Sequence, residues 1–149
     1  MKLSPSDKEL YYKLYPSLMA WVNNKFKIIP DCETSQNFIH DIDHHERMEI
    51  RDKMFDNKRN LITEYIRLNP DDLLLHELSI IKSWENAIFG EFFIFRHLKK
   101  YTVFIKSSDK PKAYGVIGIE TALNDLVPDT PSLVKTALLP LNGQIIYDG

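Results

Sequence analysis

The chain has 149 residues, of which 44% are hydrophobic and 27% are charged, and its formal net charge at pH 7 is −2. This composition is typical of a globular protein of about one domain and excludes a disordered chain. The near-neutral charge also excludes a polycation, for which overall charge alone would predict a nucleic-acid partner.

Cys32 is the only cysteine, which excludes an internal disulfide and a zinc site built from several cysteines. A single cysteine fits a reducing compartment. The start of the chain lacks the apolar core of a signal peptide, and no apolar run approaches the length of a membrane span. We therefore expect a soluble, cytoplasmic protein with no membrane partner.

Residues 1–90 carry the pattern of about four helices, of which the first two are long. The first helix begins at the capping segment Ser4–Asp7 and continues with apolar residues at helical spacing to Phe26. Pro16 lies inside this pattern, so we expect it to kink the helix or to split it in two. A second, more polar helix is predicted over Phe38–Phe55.

The third and fourth predicted helices are shorter. The apolar set of the third is Leu61, Ile62, Tyr65 and Ile66, and Asn69–Asp72 should end this helix and cap the next. The fourth follows an apolar pattern from Leu74 to Ile88. Gly90 comes where a left-handed C-terminal cap is expected, so we place the end of this helix there.

Residues 91–149 carry the pattern of five strands. A longer excursion at Thr121–Ser132, which contains one helical turn, joins the third strand to the fourth. Aromatic residues on both faces of the first strand indicate that it is covered on both sides. Asn142-Gly143 is the strongest hairpin signal in the chain, while Gly115 and Gly118 indicate a bulge or a backbone that another group approaches closely. The predicted strands are Phe92–Leu98, Tyr101–Lys106, Ala113–Ile119, Val134–Leu139 and Gln144–Tyr147.

Together these elements predict an α+β fold in a single domain, residues 1–149. An N-terminal helical layer (residues 1–90) would pack on a C-terminal, five-stranded antiparallel sheet (residues 91–149), because each helix has an apolar face that needs a partner surface. Two arrangements of the strands are compatible with their lengths. The sheet closes into a small SH3-like or OB-like barrel, or it forms a flatter meander with the helices on one face.

The segment His40–Glu46 is the densest group of possible metal ligands. If it is helical, His40 and His44 lie one turn apart, and a carboxylate such as that of Asp43 can complete a metal site. This site would support a metal-dependent hydrolase. The motif is not H-E-x-x-H, because residue 41 is aspartate. A solvated helix face explains the same residues, and we favour that interpretation.

A second candidate site lies at the start of the strand region. Residues 91–119 contain six lysines and arginines against two acidic residues, a net charge of +4 that leaves −6 for the rest of the chain. Basic residues interleaved with aromatics can bind RNA or single-stranded DNA. Lysines that protect turns and sheet edges from aggregation explain them equally simply, and we favour this because net charge gives no support to the first interpretation. The residues concerned are Arg96, Lys99, Lys100, Tyr101 and Tyr114.

No nucleophile elbow, Walker loop or dinucleotide-binding motif occurs in the sequence. Our first hypothesis is therefore a non-catalytic binding module without a cofactor, whose partner is an unidentified protein or nucleic acid. The metal-dependent hydrolase is a second hypothesis. The third is a structural subunit of a larger assembly, which predicts an exposed apolar patch and a stable oligomer or an associated protein.

Part of the second half carries a resemblance to other proteins. The stretches concerned are Ser83–Phe104, which contains the run FRHLKKYTVF, Ala113–Val116, and Leu139–Gly149, which reads LPLNGQIIYDG. In these stretches the chain resembles a group of uncharacterised bacterial proteins. The resemblance implies no activity, cofactor or catalytic residue. The segment His40–Glu46 lies outside it, which counts against a metal site there.

Overall fold

The computed structural model of the protein describes residues 1–32, 34, 36 and 42–148. Helices and a five-stranded sheet are both present, so the α+β class is confirmed. The chain divides into two compact units. Met1–Lys8 with Asn86–Gly149 forms one, which we call the strand unit, and Glu9–Glu85 forms the other, the helical unit. The predicted packing of a helical layer on the sheet concerns both units together and stays a prediction.

The first helix runs without a break through Pro16, so of the two predicted alternatives, a kink or a split, the split is wrong. Buried side chains lie on both sides of the proline, including Tyr15 and Leu18. Burial of this face outweighs the one backbone hydrogen bond that proline cannot make. The helices are α1 (Pro5–Phe26), α2 (His44–Met54), α3 (Leu61–Leu68), α4 (Leu75–Ser83, followed by a 3₁₀ turn at Trp84–Asn86) and α5 (Leu123–Leu126).

Two helix boundaries differ from the prediction. Helix α2 begins at His44, with Asp43 as its N-cap residue, and the predicted helical residues 38–41 lie outside the described part of the chain. Helix α4 ends at Ser83, so the predicted cap at Gly90 is wrong. Gly90 lies instead in a strand and pairs with Thr136. Pairing with a distant strand has prevailed there over a local capping signal.

All five predicted strands are present, the fifth with its predicted ends and the other four with shifted ends. Each pairs with two others, and the pairing runs in a ring from β1 through β2, β3, β5 and β4 back to β1. The predicted all-antiparallel arrangement is wrong at one place, because β3 and β5 are parallel. A closed ring with an odd number of strands cannot alternate in direction throughout, so one parallel pair is unavoidable. The strands are β1 (Ile88–His97), β2 (Thr102–Lys106), β3 (Ala113–Val116), β4 (Ser132–Leu141) and β5 (Gln144–Tyr147).

Four of the strands form a Greek key. Strands β1, β2 and β3 follow one another as antiparallel neighbours, and β4 returns through the excursion that contains α5 to lie beside β1. The predicted hairpin between β4 and β5 is confirmed. Its two loop residues, Asn142 and Gly143, have φ values of 46° and 75°. A two-residue turn of this kind requires positive φ at both positions, which asparagine and glycine accept most readily.

The strand unit has a buried apolar cluster, which consists of Phe92, Ile94, Phe104, Val116, Leu123 and Leu138. The start of the chain joins this unit beside Gly118, whose carbonyl accepts a hydrogen bond from the Leu3 N–H at 2.9 Å. Among the described residues, no helix is both long enough and apolar enough to cross a membrane.

Candidate functional site

An apolar row crosses four strands on the outside of the strand unit. Leu133 on β4 pairs with Phe93 on β1, which pairs with Ile105 on β2, which in turn pairs with Ala113 on β3. Phe93 is 43% exposed and Leu133 is 57% exposed. The neighbours of Phe93 along the strand are buried, because successive side chains of a strand point to opposite faces. The prediction that β1 is covered on both faces is therefore wrong.

A β-bulge places Phe95 and Arg96, the two residues that follow Ile94 in β1, on the same outer side. Ile94 pairs with Phe104 and Arg96 pairs with Val103, so Phe95 is an extra residue with no partner in the ladder. Phe95 is 50% exposed, and the Arg96 guanidinium lies 5.8 Å from the centre of its ring. Strict alternation along β1 would place Arg96 on the side of Ile94. The bulge reverses this, since one extra residue shifts the alternation.

Tyr101 lies at the edge of this surface, in the connection between β1 and β2. Its carbonyl accepts a hydrogen bond from the Leu98 N–H at 2.9 Å, which closes the connection. Its ring lies against Gly115 of β3, where an added Cβ would be 2.9 Å from two ring carbons. The close approach predicted at Gly115 is therefore confirmed, and the approaching group is a tyrosine ring. Tyr101 remains 40% exposed.

Three cations border these rings. Arg96 ends the exposed part of β1, and Lys99 and Lys100 form the tip of the connection to β2. All three are exposed, and no ion pair in the described part of the chain includes any of them. We call Phe93, Phe95, Arg96, Tyr101 and Leu133, together with Lys99 and Lys100, the exposed face.

The predicted binding residues are thus only partly together. Arg96 pairs with Val103, and Val103 pairs with Gly115, on which the Tyr101 ring lies. Arg96 and Tyr101 are therefore at the two ends of one row of paired residues. Tyr114 does not belong to this surface. Its ring contacts buried Phe92 at a centroid distance of 6.1 Å and packs against the apolar interior.

The sequence prediction missed Phe93 and Phe95. Their alternation with Phe92 and Ile94 was visible, but apolar residues on both faces of a strand do not show which face is exposed. The excess of lysine and arginine nearby was the only signal in the sequence that pointed to this region.

The described part of the structure does not bring the predicted metal ligands together. His40 lies outside them, and the Asp43 carboxylate accepts the His45 N–H at 2.9 Å as a helix cap. Within the described ranges, no group of three histidine, cysteine, aspartate or glutamate side chains is placed to hold a metal ion. The metal site therefore stays a prediction.

His97 and an open pocket in the helical unit lie outside the exposed face. His97 lies between β2 and the excursion, with Nδ1 2.9 Å from the Thr102 hydroxyl and Nε2 2.9 Å from the Val127 carbonyl, which is a structural role. An open pocket of about 350 Å³ is bordered by Trp21 and Asp71. The Asp71 carboxylate accepts the Tyr65 hydroxyl at 2.5 Å, so this carboxylate already serves the fold.

Comparison with protein-family models, curated proteins and solved structures found no match for the chain. The resemblance to a group of bacterial proteins accordingly stays a prediction, and the function has to be inferred from the exposed face.

Proposed function

We propose that the strand unit is a non-catalytic nucleic-acid-binding module and that the exposed face is its contact surface. The observation that carries this proposal is the exposure of Phe93, Phe95 and Tyr101 beside three cations. Exposed apolar surface that is concentrated in one place is characteristic of interaction sites. Leaving a phenylalanine side chain fully in water forgoes about 1.5–3 kcal/mol of burial free energy. Phe93 and Phe95 are each about half exposed, so each forgoes about half of this amount, and the two on one face need an explanation.

The charges beside the rings favour an anionic partner. Arg96, Lys99 and Lys100 are exposed, and the segment that contains them has a surplus of cations. Such a local excess attracts anions even when the net charge of the chain is near zero. Phosphate groups can form ion pairs with the cations and bases can stack on the aromatic rings, so nucleic acid matches both parts of the surface.

The closed ring removes part of the alternative explanation for the lysines. This alternative is that the lysines protect turns and open sheet edges against aggregation. Each strand of the ring pairs with two neighbours, so neither β1 nor β2 is an edge strand. A closed sheet has little need for edge protection, so only the protection of the turn is left as an alternative to a binding role for Lys99 and Lys100.

We further propose that the ring is an OB-like barrel rather than an SH3-like one. Five strands that contain a Greek key fit the description of the OB-fold. In barrels of that type, the connection between the first two strands belongs to the side that binds ligands. Lys99, Lys100 and Tyr101 lie in this connection.

The test is fluorescence anisotropy with a labelled 20-nucleotide RNA, measured against increasing salt. If three cations neutralise phosphates, the logarithm of the association constant should fall with the logarithm of salt concentration with a slope of about −2. Affinity would then drop about 18-fold between 50 and 200 mM salt. The double variant Lys99→Glu/Lys100→Glu should bind several-fold more weakly and show a slope closer to zero.

The matched control is Lys27→Glu/Lys58→Glu, which changes the net charge by the same amount at exposed positions of the helical unit. It should bind as the wild type does. The proposal is wrong if the wild-type protein shows no salt-dependent binding. It is also wrong if the two double variants lose affinity equally, because the effect would then come from net charge and not from the exposed face.

A further inference from the structure

We infer that the exposed face selects single-stranded over double-stranded nucleic acid by stacking unpaired bases on Phe93, Phe95 and Tyr101. This inference rests on the proposed function. Contacts between cations and phosphates cannot select the single strand, because a duplex carries the same phosphates at a higher charge density. Aromatic rings do distinguish them, because the faces of paired bases are already covered by their neighbours in the duplex.

The three rings are open to a base. Each is 40–50% exposed, and none packs on another aromatic ring of the described chain. Phe93 lies between Leu133 and Ile105 in the register, so its surroundings are apolar. A base that stacks on Phe93 would therefore also remove apolar surface of the flanking Leu133 and Ile105 from water.

Phe95 is presented to solvent by the bulge. Its ring has no ladder partner and is accompanied by the Arg96 guanidinium at 5.8 Å. A planar guanidinium can also stack on a base. The bulge therefore places one aromatic and one cationic stacking group side by side at the same point of β1, next to the lysines that would contact phosphate.

Tyr101 is held in place before any ligand binds. One side of its ring rests on the backbone at Gly115, and any side chain at residue 115 would displace it, since a Cβ there would be 2.9 Å from the ring. A ring that is already ordered loses little rotamer freedom when a base stacks on its open side. Gly115 therefore acts as a positioning residue for Tyr101 and does not touch the ligand itself.

The test compares a labelled 20-nucleotide RNA with the duplex of the same sequence, at one salt concentration, on the full-length protein. The wild type should bind the single strand at least tenfold more tightly. Phe93→Ala, Phe95→Ala and Tyr101→Ala should each weaken binding of the single strand by about 5- to 100-fold. Binding of the duplex should change less than twofold. Leu75→Ala, at an 87% exposed position of the helical unit, is the control that should change neither.

Two further variants separate stacking from a general hydrophobic contact and from misfolding. Phe93→Leu keeps an apolar side chain and should bind the single strand as weakly as Phe93→Ala. Gly115→Ala should weaken single-strand binding in the wild-type background and have no further effect in the Tyr101→Ala background, because it acts only through the ring.

The outcomes distinguish the inference from the proposed function. If single strand and duplex bind equally well and the lysine variant weakens both, the module binds nucleic acid and the inference is wrong. If Phe93→Leu binds the single strand as tightly as the wild type, stacking is refuted. If neither nucleic acid binds, the proposed function itself is wrong.

Discussion

Replacing Gly118 by alanine should strongly destabilise the strand unit. An added Cβ at this residue would be 2.9 Å from the carbonyl carbon of Thr121, and closer still to the carbonyl oxygen. Both are backbone atoms, which cannot rotate away as a flexible side chain can. The backbone at Gly118 also accepts from the Leu3 N–H at 2.9 Å and donates to the Met1 carbonyl at 3.1 Å. Moving the backbone of Gly118 away from Thr121 would break these two bonds to the first residues of the chain.

The expected cost follows from these contacts. Two hydrogen bonds contribute about 1 kcal/mol each. Partial exposure of buried neighbours such as Ile119 and Leu123 adds about another 1 kcal/mol. A loss of about 3 kcal/mol would lower the melting temperature of a unit of this size by roughly 12–24 °C.

The assay is urea denaturation followed by circular dichroism, with hydrogen exchange of residues 113–119 to localise the change. Gly143→Ala is the control. Its Cβ would meet no atom within 4 Å, and its φ of +75° is the only source of strain, worth about 1 kcal/mol. If Gly118→Ala is no more destabilising than Gly143→Ala, the steric argument fails.

Three further predictions concern stability, each measured as the free energy of unfolding. The hydrogen bond from Lys13 holds the pKa of Glu77 below its ordinary value of 4.5. The free energy of unfolding of the wild type should therefore exceed that of Glu77→Gln by its full amount above that pH, and the difference should shrink as the pH falls below it. A difference that does not depend on pH would contradict this. The buried Tyr65 hydroxyl donates to an aspartate carboxylate at 2.5 Å, and Tyr65→Phe should cost about 1.5–3 kcal/mol; a neutral substitution would contradict it. Phe92→Ala should cost about 3–5 kcal/mol because the side chain is fully buried, whereas half-exposed Phe93→Ala should cost less than about 1 kcal/mol; equal costs would mean that the exposed side of β1 is misassigned.

Features that depend on a few neighbouring residues could be predicted from the sequence. Asn142-Gly143 specifies its hairpin because both residues accept positive φ, and the structure has them in that conformation. Gly115 and Gly118 signal a close approach because only glycine leaves the space. Lys99 and Lys100 interrupt two apolar runs, so their place in an exposed connection follows directly. In each case the evidence lies within a few residues of the feature.

The tertiary structure alone decided the rest. The sequence around Gly90 satisfies a helix cap, and only pairing with Thr136 on a remote strand assigns it to β1. The bulge at Phe95 adds one residue to one side of a ladder and so depends on the partner strand as well as its own. The composition of β1 is nearly the same on both faces, since Phe92 and Ile94 alternate with Phe93 and Phe95. Which pair is buried depends on the direction in which the ring closes, and that direction is set by contacts between residues far apart in the chain.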